Sequence, residues 1–162
     1  MKRSSRLRRA ACACAVITAV VLGVCSPAAA ASPATAGAYC VMDAQTGEVI
    51  CQKNAYARME MASTTKVMTA LVALENAPLS LTVRITRAEA GTEGSSMYLR
   101  AGDVYTLEDL LLGMMLVSGN DAALAVAKAV AGSEASFVHL MNEKAQEIGM
   151  CDTHFDNPHG LH

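Results

Sequence analysis

The sequence predicts a mixed α/β fold, in which an N-terminal β-hairpin precedes a mostly helical remainder. Two short apolar runs within residues 38–52 flank a Gly-containing turn, the pattern of a hairpin. Beyond residue 62, apolar residues recur at helical spacing in several segments. The last residues have no closing element, and two strands alone do not make a stable sheet. We therefore expect an incomplete fold that lacks its C-terminal sheet strands.

The first 31 residues predict a cleavable export signal rather than part of the fold. Five basic residues precede the apolar run 10–25, and the small residues 28–31 follow Pro27. One alternative is a membrane anchor, but the apolar run is shorter than the ~20 residues that a membrane-spanning helix needs. Another is a lipoprotein site at Cys25, but the preceding residue, Val24, is larger than expected at such a site. Residues 32–37 are interpreted as a linker, and 38–162 as one domain.

Composition excludes several classes of partner. Removal of the five basic residues in the signal leaves eight basic against 15 acidic side chains, a net charge of −7. That charge argues against nucleic acid and anionic lipid as partners. We predict no cofactor. A zinc site is disfavoured because the terminal Cys151, His154, His159 and His162 fit no standard ligand spacing.

The hairpin raises the question of a disulfide. Pairing strand 38–43 with strand 48–52 about the turn places Cys40 opposite Cys51. A cross-strand disulfide is one interpretation, and two buried thiols are the other. With Cys151 the exported chain has three cysteines, so at least one is left unpaired within the chain.

A long apolar helix is predicted from Ser63 to Pro78, and we expect it to be buried on all sides. A short strand follows near residue 82. The Met114–Met115 pair is interpreted as core, and helix acids such as Asp121 and Glu134 as caps or solvated positions. Further helices are predicted after an N-cap at Thr106, over 121–131 with an end at Gly132, and from an N-cap at Ser133 to Gly149.

The first chemical motif is Ser63-Thr64-Thr65-Lys66 at the start of the apolar helix. Residues three apart share a helix face, so the Ser63 hydroxyl and the Lys66 amine can meet. A serine hydroxyl needs a base to become a nucleophile, and burial lowers the pKa of a lysine towards that role. Alone the motif is common on protein surfaces; its position in an otherwise apolar run favours a catalytic pair.

The second motif is Ser118-Gly119-Asn120 at a break between two helices. A hydroxyl there can relay a proton, and an amide can hold a peptide through one donor and one acceptor. The alternative is an ordinary helix end followed by an N-cap.

Together the two motifs resemble those of serine-type D-alanyl-D-alanine carboxypeptidases, which are low-molecular-mass penicillin-binding proteins. The resemblance extends over residues 38–162 and includes further segments. They are 41–50 (VMDAQTGEVI), 61–70 (MASTTKVMTA), 94–99 (GSSMYL), 118–122 (SGNDA) and 157–161 (NPHGL).

The resemblance implies a β-lactamase/penicillin-binding-protein-like transpeptidase fold and a role for each motif residue. Ser63 would form the acyl-enzyme, Lys66 would be the general base, and Ser118 would assist proton transfer. Asn120 would orient the substrate. The implied partners are peptidoglycan stem peptides ending in D-Ala-D-Ala, with β-lactams as covalent inhibitors, at the outer face of the cytoplasmic membrane or in the cell wall.

One departure from the family pattern is the third motif, Lys-Thr-Gly, because no lysine follows Lys144. The C-terminal membrane-anchoring region is also absent from this sequence. We therefore expect 38–162 to be a truncated catalytic domain, and a non-catalytic remnant that binds β-lactams or peptidoglycan is an alternative. A β-lactamase is disfavoured because no Glu-x-x-Leu-Asn segment follows Asn120.

Overall fold

The computed structural model describes residues 35–161. The predicted export signal, most of the linker and His162 lie outside the described residues. The chain divides into two compact units, with the boundary between Ala57 and Arg58. Within residues 35–161, every helix is too short or too polar to cross a lipid bilayer.

The first unit contains the predicted hairpin. Strand β1 (Tyr39–Met42) pairs antiparallel with strand β2 (Val49–Lys53). The Asp43 carboxylate accepts hydrogen bonds from the backbone N–H groups of Gln45 (2.9 Å) and Thr46 (2.7 Å). An aspartate that binds the backbone in this way fixes a tight turn, so the hairpin connection is set by local sequence.

The predicted hairpin register holds next to the turn, where Met42 lies opposite Val49, but it is wrong beyond that pair, and the disulfide interpretation is wrong. Cys40 lies opposite Gln52 and Cys51 lies opposite Val41, because the register shifts between Val41 and Met42. Successive strand residues point to opposite faces of a sheet, so the two thiols face away from each other. Cys40 and Cys51 are free, as is Cys151.

The second unit combines five helices with a small antiparallel sheet. The helices are α1 (Thr65–Asn76), α2 (Arg87–Ala90), α3 (Leu107–Leu116), α4 (Asn120–Ala131) and α5 (Glu134–Glu147), and the strands are β3 (Thr82–Arg84) and β4 (Val104–Thr106). Helix α2 and strand β4 were not predicted, because three or four residues are too few to display a periodic pattern.

The predicted helix ends at Thr106, Gly132 and Ser133 are confirmed. Thr106 and Asp109 form a reciprocal capping box at the start of α3. Gly132 ends α4 in the left-handed conformation, and the Ser133 hydroxyl accepts the Ser136 N–H at the start of α5. Local side-chain chemistry therefore determines where these helices begin and end.

Helix α4 is central to the core of the second unit. It packs against α1, α2, α3 and α5, and its alanines Ala122, Ala123 and Ala127 are fully buried. Small side chains allow neighbouring helices to approach closely, at the packing density of protein interiors. The prediction of a core Met pair is half right, since Met114 is buried and Met115 is 50% exposed.

The prediction that α1 is buried on all sides is wrong. Val67 and Leu74 are 61% and 54% exposed, whereas Lys66 and Thr69 are 2% and 0% exposed. The helix thus buries Lys66 and Thr69 beside the apolar core residues Met68, Val72 and Ala73. Such burial is stable only where the polar groups find partners, and those partners define the candidate site.

Candidate active site

Ser63 lies at the surface, in a single 3-10 turn (Ala62–Thr64) that leads directly into α1. The turn is closed by the Thr64 hydroxyl, which donates to the Met61 carbonyl at 2.6 Å. The preceding residue, Ala62, has a left-handed backbone with φ +46°. This arrangement presents the Ser63 hydroxyl to solvent at the N-terminal end of a helix, where backbone N–H groups are not yet used within the helix.

Lys66 lies one turn further along and is almost fully buried. Its Nζ is 3.2 Å from Ser63 Oγ, 2.7 Å from Asn120 Oδ1 and 3.0 Å from the His159 carbonyl oxygen. No carboxylate of the described residues forms an ion pair with it. Desolvation by burial lowers the pKa of Lys66 below its ordinary value.

The three partners of Lys66 also fix how a neutral amine would be oriented. The oxygens of Asn120 and His159 are pure acceptors, whereas the Ser63 hydroxyl can donate as well as accept. A neutral lysine has two N–H groups and one lone pair. When the N–H groups point at the two carbonyl oxygens, the lone pair faces Ser63. The site therefore accommodates a base directed at the serine proton.

Ser118 lies on the other side of Ser63. Its hydroxyl donates to Ser63 Oγ at 2.8 Å. Ser118 occupies the break between α3 and α4 with a left-handed φ of +59°. This break brings a residue 55 positions away in sequence into contact with Ser63.

Asn120 begins α4 and connects Lys66 to the loop before β4. Its Oδ1 accepts from Lys66, its Nδ2 donates to the Glu93 carbonyl at 2.8 Å, and its backbone N–H donates to Ser95 O at 2.7 Å. One N–H of the side-chain amide is left for another partner. The structure thus brings all four predicted site residues together, while the chemical role of each stays a prediction.

The interpretation of Asp121 as a cap or solvated residue is wrong. Asp121 is 1% exposed, and its carboxylate accepts from the Ser96 hydroxyl (2.7 Å), Met97 N (2.9 Å) and Leu99 N (3.0 Å). Burial raises the pKa of Asp121, but these hydrogen bonds outweigh it and the net pKa is lowered. An acid in the first turn of a helix is so common that the sequence did not distinguish this one.

The sequence also missed the contribution of residues 157–161. Asn157 Oδ1 accepts the backbone N–H groups of His159 (3.1 Å) and Gly160 (2.6 Å), which folds the segment into a turn. The turn lies on the polar face of α1, where the Thr69 hydroxyl donates to Pro158 O at 2.6 Å. The turn therefore forms a wall of the site and supplies a backbone acceptor to Lys66.

The histidines near the end do not form a metal centre in the described part of the chain. No group of three or more His, Cys, Asp or Glu side chains within residues 35–161 is arranged to hold a metal ion. His154 instead lies 3.4 Å from Asp156.

The site holds a solvent-accessible hydroxyl between a buried lysine amine and a second hydroxyl, which are the groups that acyl transfer through a serine requires. Comparison with known proteins agrees with this class. The sequence profile described as D-alanyl-D-alanine carboxypeptidase matches residues 26–162. The chain belongs to the D-alanyl-D-alanine carboxypeptidase family.

Individual relatives give the extent of the similarity. The chain is 39% identical to D-alanyl-D-alanine carboxypeptidase DacF of Bacillus subtilis, over 75% of this chain and 32% of the relative. It is 38% identical to a D-alanyl-D-alanine carboxypeptidase of Streptomyces sp., over 96% of this chain and 60% of the relative. The crystal structure of D-alanyl-D-alanine carboxypeptidase DacD from Francisella tularensis superposes with a TM-score of 0.77 and 40% identity, over 81% of this chain and 33% of that one.

The predicted fold class, that of penicillin-binding-protein transpeptidases, is confirmed by these structural neighbours. The chain spans about a third of the length of the Bacillus relative and 60% of the Streptomyces relative.

Proposed function

We propose that the protein is a serine-type D-alanyl-D-alanine carboxypeptidase that removes the terminal D-alanine from peptidoglycan stem peptides. The observation that carries the proposal is the pairing of an exposed Ser63 hydroxyl with a buried Lys66 amine at 3.2 Å. A lysine whose pKa is lowered by burial, and which forms no ion pair with a carboxylate of the described residues, is more readily neutral and therefore better suited to act as a base.

In the first step, neutral Lys66 accepts the hydroxyl proton of Ser63 as Oγ attacks the carbonyl carbon of the D-Ala-D-Ala bond. The tetrahedral adduct collapses when the C–N bond breaks. Ser118 is hydrogen-bonded to Ser63 and passes a proton, ultimately from Lys66, to the leaving amine of D-alanine. The products are an ester on Ser63 and free D-alanine.

In the second step, water attacks the ester carbonyl and the Ser63–acyl bond breaks. One proton of the water returns Ser63 to its hydroxyl form through Lys66, and the shortened peptide leaves as a carboxylate once its new carboxyl group has released the other proton to solvent. The remaining N–H of the Asn120 side chain would hold a carbonyl of the peptide during both steps.

β-Lactams are proposed as covalent inhibitors by the same chemistry. Attack of Ser63 on the lactam carbonyl opens the ring, but the leaving amine stays attached to the acyl group. Because the amine does not diffuse away and occupies the path of the water, the adduct persists.

The proposed place of action is the outer face of the cytoplasmic membrane, in the cell wall, with a role in cell shape. Its support is the sequence pattern of residues 1–31, in which a basic segment precedes an apolar run and small residues. Removal of residues 1–31 from the exported protein, read by N-terminal sequencing, tests this proposal.

The activity is tested by incubating the purified protein with a fluorescent penicillin and measuring the intact mass. We expect a single covalent adduct that is absent from Ser63→Ala. Ser80→Ala is the matched control, since Ser80 is also an exposed serine and its variant should keep the adduct. If Ser63→Ala is labelled as strongly as the wild type, or the folded wild type is not labelled at all, the proposal is wrong.

A second candidate function is binding without turnover. Release of D-alanine from a peptide ending in D-Ala-D-Ala distinguishes the two candidates. A labelled protein that releases none is a β-lactam- or peptidoglycan-binding protein, and one that releases D-alanine repeatedly is the enzyme.

A further inference from the structure

Backbone strain in the described residues concentrates around Ser63. Four residues other than glycine have a left-handed backbone: Asn54, Ala62, Tyr98 and Ser118. Asparagine adopts this conformation readily, but for a bulky residue it is an outlier that often marks a functional site. Ala62 precedes Ser63 and Ser118 is hydrogen-bonded to it. Tyr98, with φ +61°, is the remaining one.

A buried carboxylate holds Tyr98 in this conformation. Asp121 accepts the backbone N–H groups of Met97 and Leu99, the residues on either side of Tyr98. It also accepts the hydroxyl proton of Ser96, whose oxygen in turn accepts the Tyr98 N–H at 2.8 Å. The loop is therefore fixed on both sides of the strained residue.

Tyr98 lies beside the Ser118–Asn120 motif. Met97 packs against Gly119, where an added Cβ atom would lie 3.1 Å from the Met97 backbone nitrogen. The Met97 sulfur occupies the space that a side chain at Gly113 would fill. Leu116 and Val117 share the helix face of Gly113 because they follow it by three and four residues. Both are exposed, at 81% and 53%.

Tyr98 is 85% exposed, so packing of its side chain within the protein does not offset the strain. Leu116 and Val117, which directly precede Ser118, are exposed as well, so the chain next to Ser118 presents apolar side chains to solvent. An aromatic ring of this kind packs favourably on an aliphatic chain and gives contact area at low cost in side-chain entropy.

We propose that Tyr98 is a specificity-determining contact for the acyl-donor chain of the substrate, the part that stays on Ser63, and that it favours an aliphatic group there. Asp121 is the positioning residue, because it fixes the backbone on both sides of Tyr98. The inference rests on the proposed function, because it requires acylation of Ser63.

Two penicillins that differ only in their acyl chain provide the test: 6-acetamidopenicillanic acid and 6-octanoylamidopenicillanic acid. Their amide side chains occupy the donor side once the lactam carbonyl is on Ser63. The readout is the ratio of the second-order acylation rate constants, long chain over short chain, from time-resolved intact mass. Wild type, Tyr98→Ala, Tyr98→Gly and Tyr98→Phe are compared with Leu79→Ala, which removes an exposed apolar side chain (42% exposed) elsewhere.

We expect the ratio to fall by roughly tenfold in Tyr98→Ala and Tyr98→Gly, since loss of apolar contact of ring size has about this effect. It should be kept in Tyr98→Phe and Leu79→Ala. An unchanged ratio in Tyr98→Ala, including the case in which both rates fall together, would overturn the inference. So would a wild-type ratio in Tyr98→Gly, which would assign the effect to strain rather than to the ring. A wild type acylated by neither penicillin would overturn the proposed function, and the inference with it.

Discussion

Substitution of Gly160 by alanine should disrupt the wall of the site formed by residues 157–161. Gly160 has φ +82°, and a Cβ atom there would lie 1.9 Å from the carbonyl oxygen of Ala62 and 2.7 Å from Thr65 Oγ1. Real Cβ contacts are rarely shorter than 3.0 Å. Because the closest atom belongs to the backbone of the Ser63 turn, the two segments must separate by about 1 Å, the shift needed to restore normal packing contact.

The expected loss of stability has two parts. A left-handed alanine costs about 1 kcal/mol relative to glycine, and the forced backbone displacement costs about 1–3 kcal/mol more. Gly149→Ala is the matched control, since Gly149 has φ +84° but no atom within 4 Å of the added Cβ. Urea unfolding should therefore give a free energy of unfolding for Gly160→Ala that is about 2 kcal/mol below that of Gly149→Ala.

Equal losses in the two variants would refute this reasoning, because the contact with Ala62 would then contribute nothing beyond backbone conformation. A loss in Gly149→Ala larger than that in Gly160→Ala would refute it as well.

Two further predictions concern titratable groups. Acylation of Ser63 by penicillin should rise with pH and reach its plateau below 10.5, the ordinary lysine value, because burial lowers the pKa of Lys66; a rate that is still rising at that pH contradicts the assignment of Lys66 as base. Asp121→Asn should lower the free energy of unfolding by about 2 kcal/mol at pH 7, because an amide oxygen replaces a charged acceptor of several hydrogen bonds. Since the folded-state pKa of Asp121 lies below 3.8, its contribution is complete above that pH and is lost as pH falls further. The gap between wild type and variant, measured by urea unfolding, should therefore shrink in acid, and a gap independent of pH counts against this account.

The parts of the fold and site that could be predicted are those encoded locally. Thr106 and Ser133 begin helices through bonds to residues three positions ahead, so their sequence context is sufficient. Ser63 and Lys66 meet because one helical turn separates them. Ser118 and Asn120 were predicted because their motif, taken together with Ser63-Thr64-Thr65-Lys66, resembles the motifs of the family. None of these inferences needed knowledge of tertiary contacts.

The parts that could not be predicted depend on distant or irregular contacts. The bond from Lys66 to the His159 carbonyl joins residues 93 positions apart, and a backbone acceptor leaves no trace in side-chain identity. Asp121 has the sequence context of an ordinary helix acid, and only its burial against the 96–99 loop distinguishes it. The predicted hairpin register failed beyond Met42 and Val49 because an extra residue in β2, Ile50, shifts every pair farther from the turn.

The burial of Lys66 in α1 links the stability of the protein to its chemistry. The pKa of a buried lysine stays lowered only while water is kept away from the amine. Its burial is tolerated because each N–H group donates to an oxygen of the protein. No buried side-chain nitrogen or oxygen among residues 35–161 lacks a hydrogen-bond partner. One of the oxygens belongs to His159, next to Gly160. A change that loosens the 157–161 turn therefore hydrates Lys66 and raises its pKa towards the ordinary value. In Gly160→Ala the acylation plateau should accordingly move to higher pH, whereas in Gly149→Ala it should stay where it is in the wild type; a common profile would mean that the turn supports the fold without tuning the base.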